Sequence, residues 1–415
     1  MSTVALHTHG CKLNQAETEA LARQLWAEGY RVVSPTQPAQ AYVLNTCTVT
    51  ATADAKARRW LRRAARLHPE ALVVATGCYA QRQPEVLSHL PGVGLVAGQG
   101  DKPHLSEVLR ERGLRPGGGG ADSPPLRTRA LVKVQDGCSI GCRYCIVPSV
   151  RGRGRCRSPA EVVAEVSQRA AEGYQEVVLT GTHIGSYRWD GTELPGLLAQ
   201  VLAATQVPRL RLTSLLPADL TPHLLSLWRT TGEGRLCPHF HLPLQSGSGD
   251  VLEGMGRPYS PARYRRAVAL AQEAVPGMTI TTDVMAGFPG EGEAEFAESL
   301  AFCREMGFAR MHVFPYSPRP GTPAAAMPQV DSPTVARRTR RLLAEAALAS
   351  RRFEASQVGQ VVPVLWEKEV TPGVWAGLAP RYMRAFAPSA KPLAGLITPA
   401  RLERPAPEGL WARIV

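Results

Sequence analysis

From the N-terminus to about residue 350, short apolar runs alternate with longer stretches in which apolar residues recur every three or four positions. Val4-Ala5-Leu6, Tyr42-Val43-Leu44, Leu72-Val73-Val74-Ala75 and Gly94-Leu95-Val96-Ala97 read as buried strands. Between them lie a helix from about Asn14 carrying Leu21, Leu25 and Trp26 on one face, a basic helix with Arg58, Arg59, Arg62, Arg63 and Arg66, and a helix from about Pro103 to Arg112. Strict alternation of strand and helix predicts a parallel sheet with helices on its faces. Beyond residue 128, six further apolar strands end at Cys138, Thr180-Gly181, Thr213-Ser214, Gln245-Ser246-Gly247, Gly287-Phe288-Pro289-Gly290 and Pro315-Tyr316-Ser317. Amphipathic segments such as Pro159 to Glu172 and Pro261 to Ala274 separate them. The pattern predicts a partial β/α barrel of six units, with its site over the carboxyl ends of the strands.

The last residues change period. Val361 to Leu365, Val374 to Gly377, Met383 to Phe386 and Leu393 to Ile397 are short strands separated by turns, as in a small antiparallel barrel. The expected fold class is therefore α/β, in three parts: a parallel α/β sheet domain over 1–115, a partial barrel over 128–352 and a small β-barrel over 355–415. The run Arg115-Pro116-Gly117-Gly118-Gly119-Gly120-Ala121-Asp122-Ser123-Pro124-Pro125 suits neither helix nor strand, and marks a linker over 116–127.

Composition adds a partner and a compartment. The chain of 415 residues is 44% apolar, enough for ordinary cores, and carries a formal charge of +13, which favours an anionic partner, nucleic acid first. Met1 to Gly10 lacks the basic start and apolar core of a signal peptide, and no apolar run reaches the roughly 18 residues of a membrane span. A cytoplasmic location without membrane attachment is expected, where thiols stay reduced and serve metals rather than disulfides.

Six of the 9 cysteines fall into two trios. Cys11, Cys47 and Cys78 each follow a strand, about one strand–helix unit apart, so a parallel sheet would gather them on its carboxyl edge. Cys138, Cys142 and Cys145 crowd one loop after the apolar strand Ala130 to Val134. Close thiolates suit a soft metal centre. A cubane iron–sulfur cluster takes four ligands, so three leave one iron open for a small molecule. A zinc site needs a fourth ligand, and no nearby Cys or His completes its spacing. Cys156, Cys237 and Cys303 match neither trio.

The Cys-x3-Cys-x2-Cys spacing, with Tyr144 in the last gap, resembles the signature of the radical S-adenosylmethionine (SAM) enzymes. That resemblance implies a 4Fe-4S cluster whose open iron chelates SAM and whose reduced form cleaves it to a 5′-deoxyadenosyl radical. By the same resemblance Leu179 to Gly185, with Thr180 and Gly181, stands where the SAM amino group binds. Gln245 and Ser246 stand near the ribose, Gly287 to Glu291 near the adenine, and Tyr144 beside SAM. Gly10-Cys11-Lys12-Leu13-Asn14-Gln15-x-Glu17, Asn45-Thr46-Cys47-Thr48-Val49 and Thr76-Gly77-Cys78 resemble the N-terminal domain of the methylthiotransferases. There Cys11, Cys47 and Cys78 would hold a second, auxiliary 4Fe-4S cluster, the site of sulfur delivery. His312 to Ala324 resembles the closing segment of the barrel in tRNA methylthiotransferases, and the C-terminal strands are similar to the TRAM domain, an RNA-binding module.

The resemblance implies methylthio transfer to carbon 2 of a modified adenosine in tRNA, with a flavodoxin- or ferredoxin-type donor of electrons. It is closest to the branch acting on threonylcarbamoyl-adenosine 37, then to the isopentenyl-adenosine branch, then to the branch modifying an aspartate of a ribosomal protein. A different class, a non-enzymatic zinc-containing RNA-binding protein, shares the charge and the cysteines. Three basic features stay open between internal pairing and RNA contact: the arginine helix, the loop Arg151 to Arg157, and Arg381, Tyr382 and Arg384.

Overall fold

Five parallel strands, β1 (Thr3–Thr8), β2 (Arg31–Val33), β3 (Ala41–Thr46), β4 (Leu72–Gly77) and β5 (Val93–Ala97), lie in the order β2-β1-β3-β4-β5. Helices α1 (Lys12–Ala27), α2 (Ala51–Leu67) and α3 (Cys78–Arg82) leave the carboxyl ends of β1, β3 and β4. The apolar runs of β3 and β4 are buried on both faces, between one core under α1 and another under α2. On α2, Ala57, Leu61 and Ala64 face the sheet, and the cap residue Thr50 accepts from the Ala53 amide. β2 was not expected: an edge strand of three residues is too short to show a period.

The computed structural model describes residues 2–117, 127–230 and 234–415. The linker expected over 116–127 falls, apart from residues 116, 117 and 127, outside them.

Six parallel strands follow, at Ala130–Lys133, Glu176–Thr180, Arg209–Leu212, His239–His241, Thr279–Ala286 and Arg310–Pro315. The first three form one sheet and the last three another. Backbone bonds from the Leu210 amide to the Arg235 carbonyl (2.7 Å) and from the Cys237 amide to the Leu210 carbonyl (2.9 Å) join them. The expected six-unit partial barrel is thus observed. α1 lies against its first two strands, where Ala16 packs on Leu131 and Val178.

A closed barrel of five strands ends the chain, in the order Val361–Thr371, Val374–Leu378, Arg384–Pro388, Gly409–Ile414, Ile397–Ala406. It is antiparallel except for Arg384–Pro388 against Gly409–Ile414, which run parallel. A closed ring of odd strand number must contain one such pair. The barrel docks through a buried charge cluster. Arg129, Arg209 and Arg211 surround the fully buried Glu176, and Arg209 and Arg211 donate to the carbonyls of Pro363, Leu378, Ala379 and Pro380.

Of the C-terminal residues considered for RNA contact, Tyr382 and Arg381 turn towards the rest of the chain, while Arg384 stays on the barrel's surface. Tyr382 stacks on His239 at 4.4 Å, Arg381 donates to Gln357, and Arg384 pairs with Glu408 at 2.6 Å.

Candidate active site

The loop after the first barrel strand is pinned by backbone on both sides. The Cys138 amide donates to the Gly152 carbonyl (3.1 Å), the Arg143 amide to Met255 (2.9 Å), and the Ala324 amide to Arg143 (2.9 Å). Gly137 has φ +72°, and a Cβ there would lie 2.6 Å from the Gly152 carbonyl oxygen and strike Arg153, so only glycine fits this approach. Burial pushes the Cys145 thiol up to about 12, and the neighbouring Cys142 and Cys138 add to the cost of charging it. Arg257, more than a hundred residues away, donates to the Cys142 sulfur at 3.2 Å.

Register assembles the other trio. Thr8 pairs with Asn45 and Thr46 with Gly77, which brings the ends of β1, β3 and β4 side by side. Cys11 caps α1, Cys47 follows β3, and Cys78 opens α3. A Cβ on Gly10 would lie 2.7 Å from the Cys47 Cβ and 3.3 Å from its sulfur. Burial pushes the Cys47 thiol up to about 12, with Cys11 and Cys78 also raising it. The Val49 amide and Gln99 Nε2 donate to the sulfurs of Cys47 (3.5 Å) and Cys78 (3.2 Å). His7 and His9 pack edge to face at 4.9 Å, and His7 stacks on Trp60.

A buried ion network locks the two trios together. Arg151, directly after the second trio's loop, donates to Glu17 Oε1 (2.8 Å), Asp136 Oδ1 (2.8 Å) and Asn14 Oδ1 (2.5 Å). Lys102 holds Glu17 Oε2 at 2.6 Å. Burial opposes the Glu17 charge, but Lys102 and Arg151 outweigh it and hold the carboxyl well below its usual range. Arg151 is therefore internal. Arg157 of the same basic loop pairs with Glu165. A second latch joins the barrel's closing segment to α2: Arg319 donates to Asp54 at 2.5 Å, and Arg82 holds the same carboxylate at 2.7 Å. Cys78 packs against Ile146 and Val150, one residue and five residues after Cys145.

Beside Cys145, and reaching the residues just after Cys47, lies a cavity of about 290 Å³. Its wall takes Val49 and Thr50 from beside Cys47, Cys145 and Tyr144 from the loop, and strand-end residues from the barrel. Of the expected SAM contacts, Tyr144 and Gln245 line it. Thr180 and Gly181 do not. Thr180 is buried against Thr213, and Gly181 is packed on Gln135, while their successors Thr182 and His183 reach the wall. Ser246 is buried with its hydroxyl accepting from Ser248, and Gly287 is packed against Val335 and bonded to Glu291. Neither lines the cavity.

Four buried polar atoms of wall residues have no partner: Thr182 Oγ1, Gln245 Oε1, Arg257 Nη2 and the Tyr316 hydroxyl. Such atoms are costly unless a ligand completes them. Gln245 and Ser214, both wall residues, also hold positive φ of +67° and +55°, a strain that clusters at ligand sites. Neither trait has a local sequence signal. Arg257, Gln99 and Lys102 were likewise invisible as neighbours of the cysteines, because the fold alone brings them there, whereas Arg151, which the sequence left open between internal pairing and RNA contact, turns inward to Glu17.

Among the described residues, no group of three or more His, Cys, Asp and Glu is placed to hold a single metal ion. Thiolates around one zinc stand about 3.8 Å apart. A four-iron cube instead gives each thiolate its own iron, so its three sulfurs need not converge on one point. Among the same residues no helix is long and apolar enough to cross a membrane.

Residues 3–98 match the model described as "Uncharacterized protein family UPF0004", and residues 132–303 match the Radical SAM superfamily. The chain is 35% identical to the threonylcarbamoyladenosine tRNA methylthiotransferase MtaB of Bacillus subtilis, across 100% of this chain and 97% of that protein. It is 34% identical to the tRNA-2-methylthio-N(6)-dimethylallyladenosine synthase of Bacillus licheniformis, across 90% of this chain and 78% of that protein. In fold it is similar to the radical S-adenosylmethionine methyltransferase TsrM from Kitasatospora setae, with a TM-score of 0.56 at 18% identity over 78% of this chain and 77% of that one. With a relative alike from end to end and both domain models matched in order, the chain belongs to the radical SAM tRNA methylthiotransferase family.

Proposed function

We propose that this protein places a methylthio group on carbon 2 of N6-threonylcarbamoyladenosine at position 37 of tRNA. The observation that carries the reading is the single cavity walled on one side by the neighbours of Cys47 and on the other by Cys145 and Tyr144. A cavity that touches one sulfur-liganded centre and the chain just past Cys47 of the other suits a reaction in which one site removes a hydrogen and the other supplies its replacement.

Cys138, Cys142 and Cys145 hold one 4Fe-4S cluster and leave an iron for SAM; Cys11, Cys47 and Cys78 hold the auxiliary cluster. When bound, these groups supply the radical and the sulfur, the part of the chemistry no side chain provides. The protein orients and encloses. Thr182 Oγ1, Gln245 Oε1 and the Tyr316 hydroxyl offer polar partners to SAM or the nucleoside. Ile140, Ile146, Val147, Met285 and Phe314 make much of the wall apolar, which keeps water from a reactive carbon. Arg257 and Gln99 stabilise thiolate charge through their bonds to Cys142 and Cys78.

The threonylcarbamoyl branch is favoured by the end-to-end length match with its Bacillus subtilis member. A flavodoxin- or ferredoxin-type protein supplies the electrons, and the enzyme works in the cytoplasm, where its tRNA is found. Nucleoside analysis of tRNA from a deletion strain tests the branch. The expected result is loss of the methylthio form of threonylcarbamoyl-adenosine and its return on complementation. Loss of the methylthio group from isopentenyl-adenosine instead would move the enzyme to the other branch.

A further inference from the structure

The outer face of α2 is a row of guanidinium groups. Arg59, Arg62, Arg63 and Arg66 stand in solvent, while Arg58 is half-buried and donates to the Tyr79 hydroxyl at 2.7 Å. With Ala55 and Leu67 these arginines line an open groove of about 730 Å³. Among the described residues, no carboxylate lies within ion-pair distance of the four exposed ones. The only acid on α2, Asp54, is buried and taken by Arg82 and Arg319. The other basic helix, Ser332–Gln357, is partly neutralised: its Arg337 and Arg338 pair with Glu293, Arg338 also with Glu291, and Arg352 with Glu345. Like charges one turn apart repel, so the row on α2 is costly unless an anion covers it.

Direction adds to charge. α2 starts at the cavity edge: Thr50 lines the cavity, and the Ala51 amide donates to Ser317, another wall residue, at 3.0 Å. From Thr50 to Arg66 the helix advances about 24 Å, with charges recurring about every 6 Å along the i, i+4 rows. The row therefore leads from the mouth of the reaction cavity outwards. Leu67 is the only exposed large apolar residue in the groove. A protein partner wants an apolar or aromatic centre, whereas a phosphate backbone wants charge alone.

We propose that this face of α2 grips the sugar–phosphate backbone of the tRNA beside the nucleotide that enters the cavity. The proposal rests on the tRNA reading above and names the surface that positions the substrate. The test is the holoprotein with Arg59→Ala, Arg62→Ala, Arg63→Ala and Arg66→Ala combined. The positions are exposed and alanine favours helix, so the variant folds.

The probe is an anticodon stem-loop RNA, with affinity measured by fluorescence anisotropy across a salt series. The variant binds at least about tenfold more weakly at 0.1 M salt, and the slope of log affinity against log salt shrinks by about 0.7–0.9 for each phosphate that the variant no longer neutralises. Lysine at the same four positions restores most of the binding. Iron content and SAM cleavage without RNA stay unchanged. Equal affinity and slope in wild type and variant would overturn the proposal. So would unchanged RNA binding with slower reduction by a flavodoxin-type protein, which would make the row a donor-docking face. If the wild-type chain itself does not bind the RNA, the functional reading fails and takes this proposal with it, so the two failures are distinct.

Discussion

Gly10 and Gly77 turn the chain immediately before Cys11 and Cys78, at φ +120° and +94°. A Cβ on Gly77 would lie 2.6 Å from the Thr46 carbonyl oxygen, and one on Gly10 would push on Cys47. Gly77→Ala therefore strains the turn and crowds its neighbours, at a cost of about 1–3 kcal/mol for each effect. The expected outcome is a folded protein that loses the auxiliary cluster, with iron per chain falling from about eight to about four and SAM cleavage retained. Iron assay with SAM turnover checks it; full iron in the variant would mean that the turn does not set the sulfur. The cysteines and these glycines were readable from the sequence as motifs. The strained Gln245 and Ser214 were not, because their conformation is imposed by strands that meet only in the fold.

At the scale of elements, α1 carries the clearest titrations. Burial raises the Glu19 carboxyl from 4.5 to about 7, with Arg127 and Arg23 opposing. The folded chain thus keeps a proton that the unfolded chain gives up, so stability falls as pH rises between 4.5 and about 7. Glu19→Gln removes this penalty, and urea unfolding should show the variant more stable than wild type at pH 8 by up to about 3 kcal/mol, with the advantage shrinking as pH falls towards 4.5 and gone below it. Equal stability at pH 8 would count against it. Glu17, two residues earlier, behaves oppositely: its carboxyl is held low, so its contribution is present above pH 4.5 and lost as pH falls below that. Alternating strand and helix made the longer parallel strands legible, because buried parallel strands are continuous apolar runs; in the last barrel the run Leu393 to Leu396 forms a turn, not a strand, and the strands Ile397–Ala406 and Gly409–Ile414 were not expected. β2 was missed for its length, and the parallel pair in the last barrel because strand direction leaves no mark on composition.

Across the whole molecule, buried ion clusters join the parts: Glu17 with Arg151 and Lys102, Asp54 with Arg319, and Glu176 with three arginines. Burial opposes the Glu176 charge, but Arg211, Arg129 and Arg209 hold its pKa down at about 2. Its contribution is therefore complete above 4.5 and lost as pH falls from there through about 2. Glu176→Gln strands those arginines without a counter-ion, which costs about 3–5 kcal/mol. Hydrogen exchange should show faster opening of residues 361–414 while α1 to α3 keep their protection; unchanged exchange would remove Glu176 from the docking.

The most direct measurement replaces each trio in turn by alanine and reads iron, SAM cleavage and sulfur transfer together. The wild type should hold about eight irons and each variant about four. Without Cys138, Cys142 and Cys145, SAM cleavage should vanish. Without Cys11, Cys47 and Cys78, SAM cleavage should persist while no methylthio group reaches the RNA. Sulfur transfer by that second variant, or full iron in either, would contradict the account.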